Sequence, residues 1–285
     1  MLRREQTTLF QKPAPTDLSF TGVANETPGS LQWNFQEMTF GLSLLMQLTT
    51  LIISIVALSQ GGLPNTLMTI LVLELVVQIV ELTWYSTVGA LYLFGRFDIS
   101  IGVRYVDWAI TTPTMMASLL MFVLWKADQA CDDVLGTTSR QVALVCVIFF
   151  DLWMLFWGFV YETKIESMMR FYDRLACNVR PNSGLFLGFV PFLGVFTPIF
   201  VVLGSSFTVA GLVSTLVTFF TWALYGVVAL FGQDLGSGAM WDESTRNSAY
   251  NILDIFSKNV VGLVVSSVAL TGDYNTAIPS KCTYN

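Results

Sequence analysis

Tyr250-Asn-Ile-Leu-Asp-Ile-Phe-Ser-Lys-Asn-Val-Val-Gly-Leu-Val-Val-Ser-Ser-Val-Ala-Leu-Thr271 is a long apolar run with a lysine, Lys258, inside it. Its length is what a helix needs to cross the hydrocarbon of a bilayer, where an ammonium without a partner is expensive to hold. Asp254 lies four residues before Lys258, so the two share a helical face and the carboxylate offsets the charge. Two readings of the lysine stand at this point. It is one half of a neutralising ion pair, or an amine tuned by burial to condense with an aldehyde as a Schiff base.

The rest of the chain has the same character. Of its 285 residues 54% are hydrophobic, 14% aromatic and only 12% charged, too apolar a balance for an ordinary soluble domain. Seven stretches are long and apolar enough to span a membrane, near residues 38–59, 67–90, 103–125, 141–161, 185–203, 209–232 and 250–271. They predict an all-α, multi-pass integral membrane protein, a bundle of seven transmembrane helices whose first partner is the lipid bilayer. Residues 1–36 contain Pro13, Pro15 and Pro28 and no apolar core, and read as a surface tail and not a cleavable signal. Residues 37–272 form the bundle and 273–285 a short C-terminal tail. Substantial loops are expected over 126–140, 163–184 and 233–249.

The net charge is −6 and there is no histidine. That balance argues against a nucleic-acid partner and removes imidazole from metal binding and proton transfer, so carboxylates must do the acid and base work. Cys131, Cys146, Cys177 and Cys282 have no metal-ligand spacing. No metal is expected, and the chain is not read as an enzyme.

A second constellation sits in the third span, Arg104-Tyr-Val-Asp-Trp-Ala-Ile-Thr-Thr-Pro113. Asp107, Thr111 and Ser118 fall four and then seven residues apart, which stacks them on one face over three turns as a polar file. Pro113 is tolerated because hydroxyls and neighbouring helices can satisfy the freed backbone groups; on its own it is an ordinary kink.

Together, Arg-Tyr-x-Asp-Trp-x-x-Thr-Thr-Pro at 104–113 and Leu-Asp-x-x-x-Lys at 253–258 resemble the microbial, or type 1, rhodopsins, bacteriorhodopsin most closely. The resemblance implies all-trans retinal attached to Lys258 as a covalent protonated Schiff base. It implies Asp107 as proton acceptor and counterion, Asp254 as second counterion, and Arg104 beside them toward the end of the bundle that carries the N-terminal tail. Trp108 resembles the tryptophan that sandwiches the polyene, Trp222 and Tyr225 the opposing pair, and Thr112 and Met115 belong to the same pocket. Asp151, Met154 and Gly158 reproduce the family's Asp-x-x-Met-x-x-x-Gly spacing, with Asp151 beside Thr112. A homo-oligomer, trimer or pentamer, is implied by the same resemblance.

Departures from the family pattern carry information too. Ser118 stands where proton pumps commonly place an internal Asp or Glu donor. Gly226 replaces the usual proline of the sixth helix, and Ala229 replaces a bulky aromatic at the retinal ring. Ser257 puts a hydroxyl dipole next to the lysine, which favours absorption on the blue side of the family's range. In the second span Glu74, Gln78 and Glu81 form a polar stripe at i, i+4 and i+7, and buried carboxylates at that depth mark ion or proton pathways. Glu81 resembles the gate glutamate of channelrhodopsins and Glu74 another member of their acidic row; two protonated, structurally bonded glutamates are the plainer alternative.

These observations point to a retinal photoreceptor that performs light-driven proton translocation, H+ passing from Lys258 to Asp107, steadied by Thr111, past Arg104 to Asp234. A light-gated cation channel along Glu74 and Glu81 is the alternative, and a sensory rhodopsin the third class. On orientation the signals oppose each other. Nine basic residues (Arg3, Arg4, Lys12, Arg96, Lys164, Arg170, Arg174, Arg180 and Arg246) fall on the N-terminal face against Lys126, Arg140 and Lys281 on the other, which by the positive-inside rule puts the N-terminus in the cytoplasm. The Asn25-Glu-Thr27 sequon and the family's habit put it outside.

Overall fold

The computed structural model describes residues 35–93, 101–127, 133–163, 183–205, 208–232, 239–272 and 274. Residues 1–34, 273 and 275–285 of the tails, together with Asp234, Cys131 and Cys177, lie outside the described residues, and so does Cys282. Among the described residues there are seven helices: α1 (Phe35–Leu58), α2 (Asn65–Leu93), α3 (Ile101–Ala127), α4 (Thr138–Thr163), α5 (Ser183–Ser205), α6 (Val209–Phe231) and α7 (Glu243–Thr271). Each is long and apolar enough to cross a membrane, as expected of a multi-pass membrane protein.

Most helices run two or three residues beyond the hydrophobic stretch that predicts them, because a helix continues past the hydrocarbon into the polar boundary. The largest difference is in α7, which begins at Glu243 and not at residue 250. Its first two turns are polar and invisible to a hydropathy pattern. They are fixed by Asp242, whose side chain accepts from the Thr245 amide at 2.8 Å, an N-cap that satisfies one of the orphan donors. The connection between α6 and α7 is therefore shorter than expected. Gly272 ends α7 in the left-handed region, φ 71°, a conformation glycine adopts without a Cβ clash.

Consecutive helices pack side by side and α7 closes the ring against α1, while α3 also touches α5, α6 and α7. This central place explains why α3 is apolar all round in its second half: every residue from Met115 to Trp125 is buried. Pro113 in α3 and Pro191 and Pro198 in α5 are accommodated inside continuous helices.

Helix α1 reverses the pattern of a soluble amphipathic helix. It turns Leu42, Leu45, Leu48, Ile52 and Ile55 outward to lipid. Its buried residues are Thr39, Ser43, Gln47, Thr50, Ser54 and Ala57, polar in five positions of six. Small and polar residues are what membrane helices use at their contacts, but an unbroken polar face spanning the helix has to be matched on the partners it meets.

Candidate functional site

Lys258 is 1% exposed. Its Nζ donates to Asp107 Oδ2 at 2.7 Å and contacts Glu81 Oε1, with Asp254 Oδ1 at 3.5 Å. The lysine thus faces carboxyls from α2, α3 and α7. Asp254 is the best satisfied of the three. Tyr85 donates to its Oδ2 at 2.6 Å, Arg104 Nη1 to the same oxygen at 3.2 Å, and Tyr225 to Oδ1 at 2.6 Å. Arg104 is fixed in turn by Asn251 Oδ1 at 2.6 Å and by the Asn247 side chain and carbonyl at 3.2 and 3.3 Å. Its guanidinium also lies over the rings of Trp84 and Tyr250, at 5.3 and 5.8 Å.

Three carboxyls face two cations in this buried cluster, where an uncompensated charge is expensive. Asp254 has three hydrogen-bond donors and both cations about it. Glu81 Oε2 and Asp107 Oδ1 have no hydrogen-bond partner.

Beside the lysine lies a cavity of about 130 Å³. Lys258 sits in its wall together with Trp108, Met115, Met154, Trp222 and Tyr225, and Gly158, Gly226 and Ala229 leave room. The expected pocket residues all line it except Asp151, which stands behind Thr112. The Thr112 hydroxyl is shared between Asp151 Oδ2 at 2.9 Å and the Trp108 carbonyl at 2.8 Å. Thr112→Val takes away the one partner found for the Asp151 carboxyl, whose Oδ1 already has none. A loss of about 1–3 kcal/mol is expected, read as a lowered unfolding midpoint of the detergent-solubilised protein; an unchanged midpoint would demote the contact. Ser257 joins the site through Tyr225, at 3.0 Å between hydroxyls.

Other expected positions depart from the sequence reading. Thr111 does not steady the Asp107 carboxyl: its hydroxyl donates to the Asp107 backbone carbonyl at 3.1 Å, the bond within reach of a threonine one turn along a helix. Ser118 leaves the Asp107 file for α2, where it contacts Glu74 Oε1 while donating to the Met115 carbonyl at 2.9 Å. Glu81, expected to line an ion path, contacts the lysine. Gln78 donates to the Lys258 carbonyl at 2.9 Å.

The polar face of α1 meets this α2 stripe and α7. Ser43 donates to the Asn251 carbonyl at 2.7 Å, Asn251 to Thr39 at 3.1 Å, and Ser54 and Ser266 lie 3.3 Å apart. Gly262 marks the convergence: a Cβ there would stand 3.1 Å from Glu74 Oε2, 3.5 Å from Thr50 and 3.7 Å from Gln78. Seven buried atoms of this layer have no hydrogen-bond partner, on Gln47 (Nε2 and Oε1), Thr50, Glu74, Gln78, Glu81 and Asn259. Unsatisfied polar atoms inside a membrane protein are expensive, and these lie on the three helices α1, α2 and α7.

Sequence and structure comparisons agree with this architecture. A family model described as bacteriorhodopsin-like protein matches residues 34–272. No curated protein matches the sequence. Among solved structures, the viral rhodopsin OLPVRII is 23% identical and aligns over 84% of this chain and 99% of its own with TM-score 0.62. The thermophilic rhodopsin from Rubrobacter xylanophilus is 17% identical over 85% and 100%, TM-score 0.62. Halorhodopsin, a light-driven chloride pump, is 15% identical over 85% and 98%, TM-score 0.63. At these identities the likeness is one of fold.

Proposed function

We propose that this chain, which belongs to the bacteriorhodopsin-like protein family, is a light-gated cation channel whose path follows the polar layer between α1, α2 and α7. Membership implies a retinal chromophore, and the residues fit one: a buried lysine amine opens on an apolar, aromatic-walled cavity. Lys258 is the attachment point in this reading. Once bound, retinal would supply absorption of visible light and a change of shape on isomerisation.

The chain's own residues supply the gate. At rest the Lys258 ammonium is held by Glu81 and Asp107, which puts a positive charge at the inner edge of the polar layer and engages its deepest carboxyl. A cation meets a like charge there. When the Lys258 nitrogen passes its proton to Asp107, the positive charge leaves the layer, Glu81 stays a carboxylate, and the orphaned oxygens are open to water and ions. Cation selectivity follows from composition: Glu74 and Glu81 contribute acid, Gln47, Thr50, Gln78 and Asn259 contribute neutral oxygens, and among the described residues the cations beside the layer are Lys258 and Arg104, both tied to carboxylates.

The observation that carries this reading is the set of seven unpartnered buried polar atoms in one layer. A light-driven proton pump is the second reading, favoured by the Ser118–Glu74 contact. It brings a carboxyl to the position where α3 itself has only a hydroxyl, and so gives the lysine nitrogen a source of protons. Voltage clamp of illuminated cells expressing the protein separates the two. A channel's photocurrent reverses sign near the equilibrium potential of the permeant cation and moves with the bath concentration. A photocurrent of one direction at every voltage would overturn the channel reading in favour of the pump.

A further inference from the structure

Glu74 is fully buried on α2, and among the described residues no cation lies within ion-pair reach of its carboxyl. Ser118 occupies its Oε1, and its other oxygen, Oε2, is turned toward Gly262 on α7. A Cβ at Gly262 would meet that oxygen at 3.1 Å, the Thr50 methyl at 3.5 Å and Gln78 Nε2 at 3.7 Å. Side chains of α1 and α2 therefore converge on one point beside the α7 backbone, where a glycine leaves room for them. Gln78 is oriented as well: its Nε2 is committed to the Lys258 carbonyl at 2.9 Å, which leaves Oε1 as the free end. Thr50 Oγ1 and Gln47 Oε1, on the buried face of α1, are likewise without a hydrogen bond.

The group is rich in acceptors, since a carboxylate and the amide oxygens of Gln47 and Gln78 can only accept. Water is the usual partner of such atoms, but a buried water needs space, and none of these atoms presents surface that a water molecule could touch. A dehydrated sodium ion is smaller than water, and carboxylate, amide and hydroxyl oxygens can replace its hydration shell. Potassium, as large as a water molecule, is excluded by the same lack of room. Charge leads to the same ion, because a carboxylate inside the bundle without a counter-charge is expensive and sodium supplies one. The helices packed against α2 bring Thr50 from α1, Ser118 from α3 and Gly262 from α7 to this carboxyl. The next charged groups along the layer, Glu81 and Lys258, hold each other.

We propose that Glu74 Oε2, Gln78 Oε1, Thr50 Oγ1 and Gln47 Oε1, beside Gly262, bind a dehydrated sodium ion in the dark and discriminate against potassium. The site's role rests on the channel reading: the bound ion waits two turns from Glu81 and moves on once the lysine charge has left the layer. Binding itself needs no light. Where sodium is absent, Glu74 takes a proton from water in its place. When sodium enters, the O–H bond of the Glu74 carboxyl breaks, its electron pair stays on the carboxylate and the proton goes to the bulk; nothing is oxidised or reduced.

The test uses the full chain with retinal bound, in lipid nanodiscs kept dark, and infrared difference spectra between sodium chloride and potassium chloride at equal concentration and pH. In sodium the wild-type protein should lose a carboxylic C=O band and gain a carboxylate band. Glu74→Gln should lose that difference. Gly262→Ala, whose Cβ takes the space against Oε2, should also lose it while the visible band stays in place. Thr50→Val, which removes one oxygen and keeps the shape, should need more sodium to give the same difference. Identical wild-type spectra in the two salts overturn the proposal. So does a sodium response undiminished in Glu74→Gln or Gly262→Ala, or in Thr50→Val should those variants fail to fold. Voltage clamp of the wild type keeps the two readings apart. A dark sodium response in a protein whose photocurrent never reverses keeps this site and removes the channel. A reversing photocurrent without a dark sodium response keeps the channel and removes the site.

Discussion

Lys258→Ala, supplied with retinal, is expected to insert into the membrane and stay colourless. Within the described bundle Lys258 is the only lysine on the cavity; Lys126 stands in the last turn of α3, over the Trp125 ring at 5.1 Å. No other amine can reach an aldehyde held between Trp108 and Trp222. The variant also leaves Glu81, Asp107 and Asp254 with Arg104 as the one remaining cation, and breaking a buried ion pair on one side costs about 3–5 kcal/mol. Protonation of Glu81 and Asp107 offsets part of that, so a reduced yield is expected in addition to the loss of colour. Lys258→Arg separates the two effects: it restores the cation but not a condensable amine, so it should recover yield and remain colourless. The measurement is the visible spectrum of membranes normalised to protein amount. A normal pigment band in either variant would remove Lys258 from the centre of the site, and with it the gate proposed above.

Much of this site was legible in the sequence because its residues come in two short motifs whose spacing a helix converts directly into geometry. Asp254 and Lys258, four apart, do share a face, and Trp108, Thr112 and Met115 do line one cavity. What the spacing could not supply was which helix faces which. Spacing places Glu81 on a path because it lies seven residues from Glu74 on α2; only the packing of α2 against α3 and α7 reveals that the same stripe ends on the lysine. The period places Ser118 on the Asp107 file, and its rotation toward α2 gives it to Glu74 instead. The polar face of α1 was present in the sequence as Thr39, Ser43, Gln47, Thr50 and Ser54, spaced by four, four, three and four. Scattered hydroxyls in an apolar helix are commonplace, and the signal emerges only when the matching row on α7 is known.

Glu81→Gln is expected to change both the colour and the current, and Glu74→Gln the current alone. Glu81 is bonded to the Lys258 nitrogen and also borders the polar layer. Removing its charge takes away one of the carboxyls that stabilise a cation on that nitrogen. The pigment should survive, because Asp107 and Asp254 remain, but its band should move to the red as the ground-state charge loses a partner. A permeating cation loses an attraction of about 1–4 kcal/mol at contact distance, between water and a partly buried site, so the photocurrent should fall roughly tenfold at the same expression level. Its reversal potential should move as well, because the neutral amide discriminates less between ions. Glu74 lies two turns away and is bonded to Ser118, not to the lysine, so its amide variant should leave the spectrum in place and still reduce the current through the same layer. Equal spectra in the two variants would break the link between Glu81 and the lysine. Full-sized photocurrents in both would remove the acidic row from the conduction path, and the orphaned oxygens around Gly262 would then need another explanation than a path for ions.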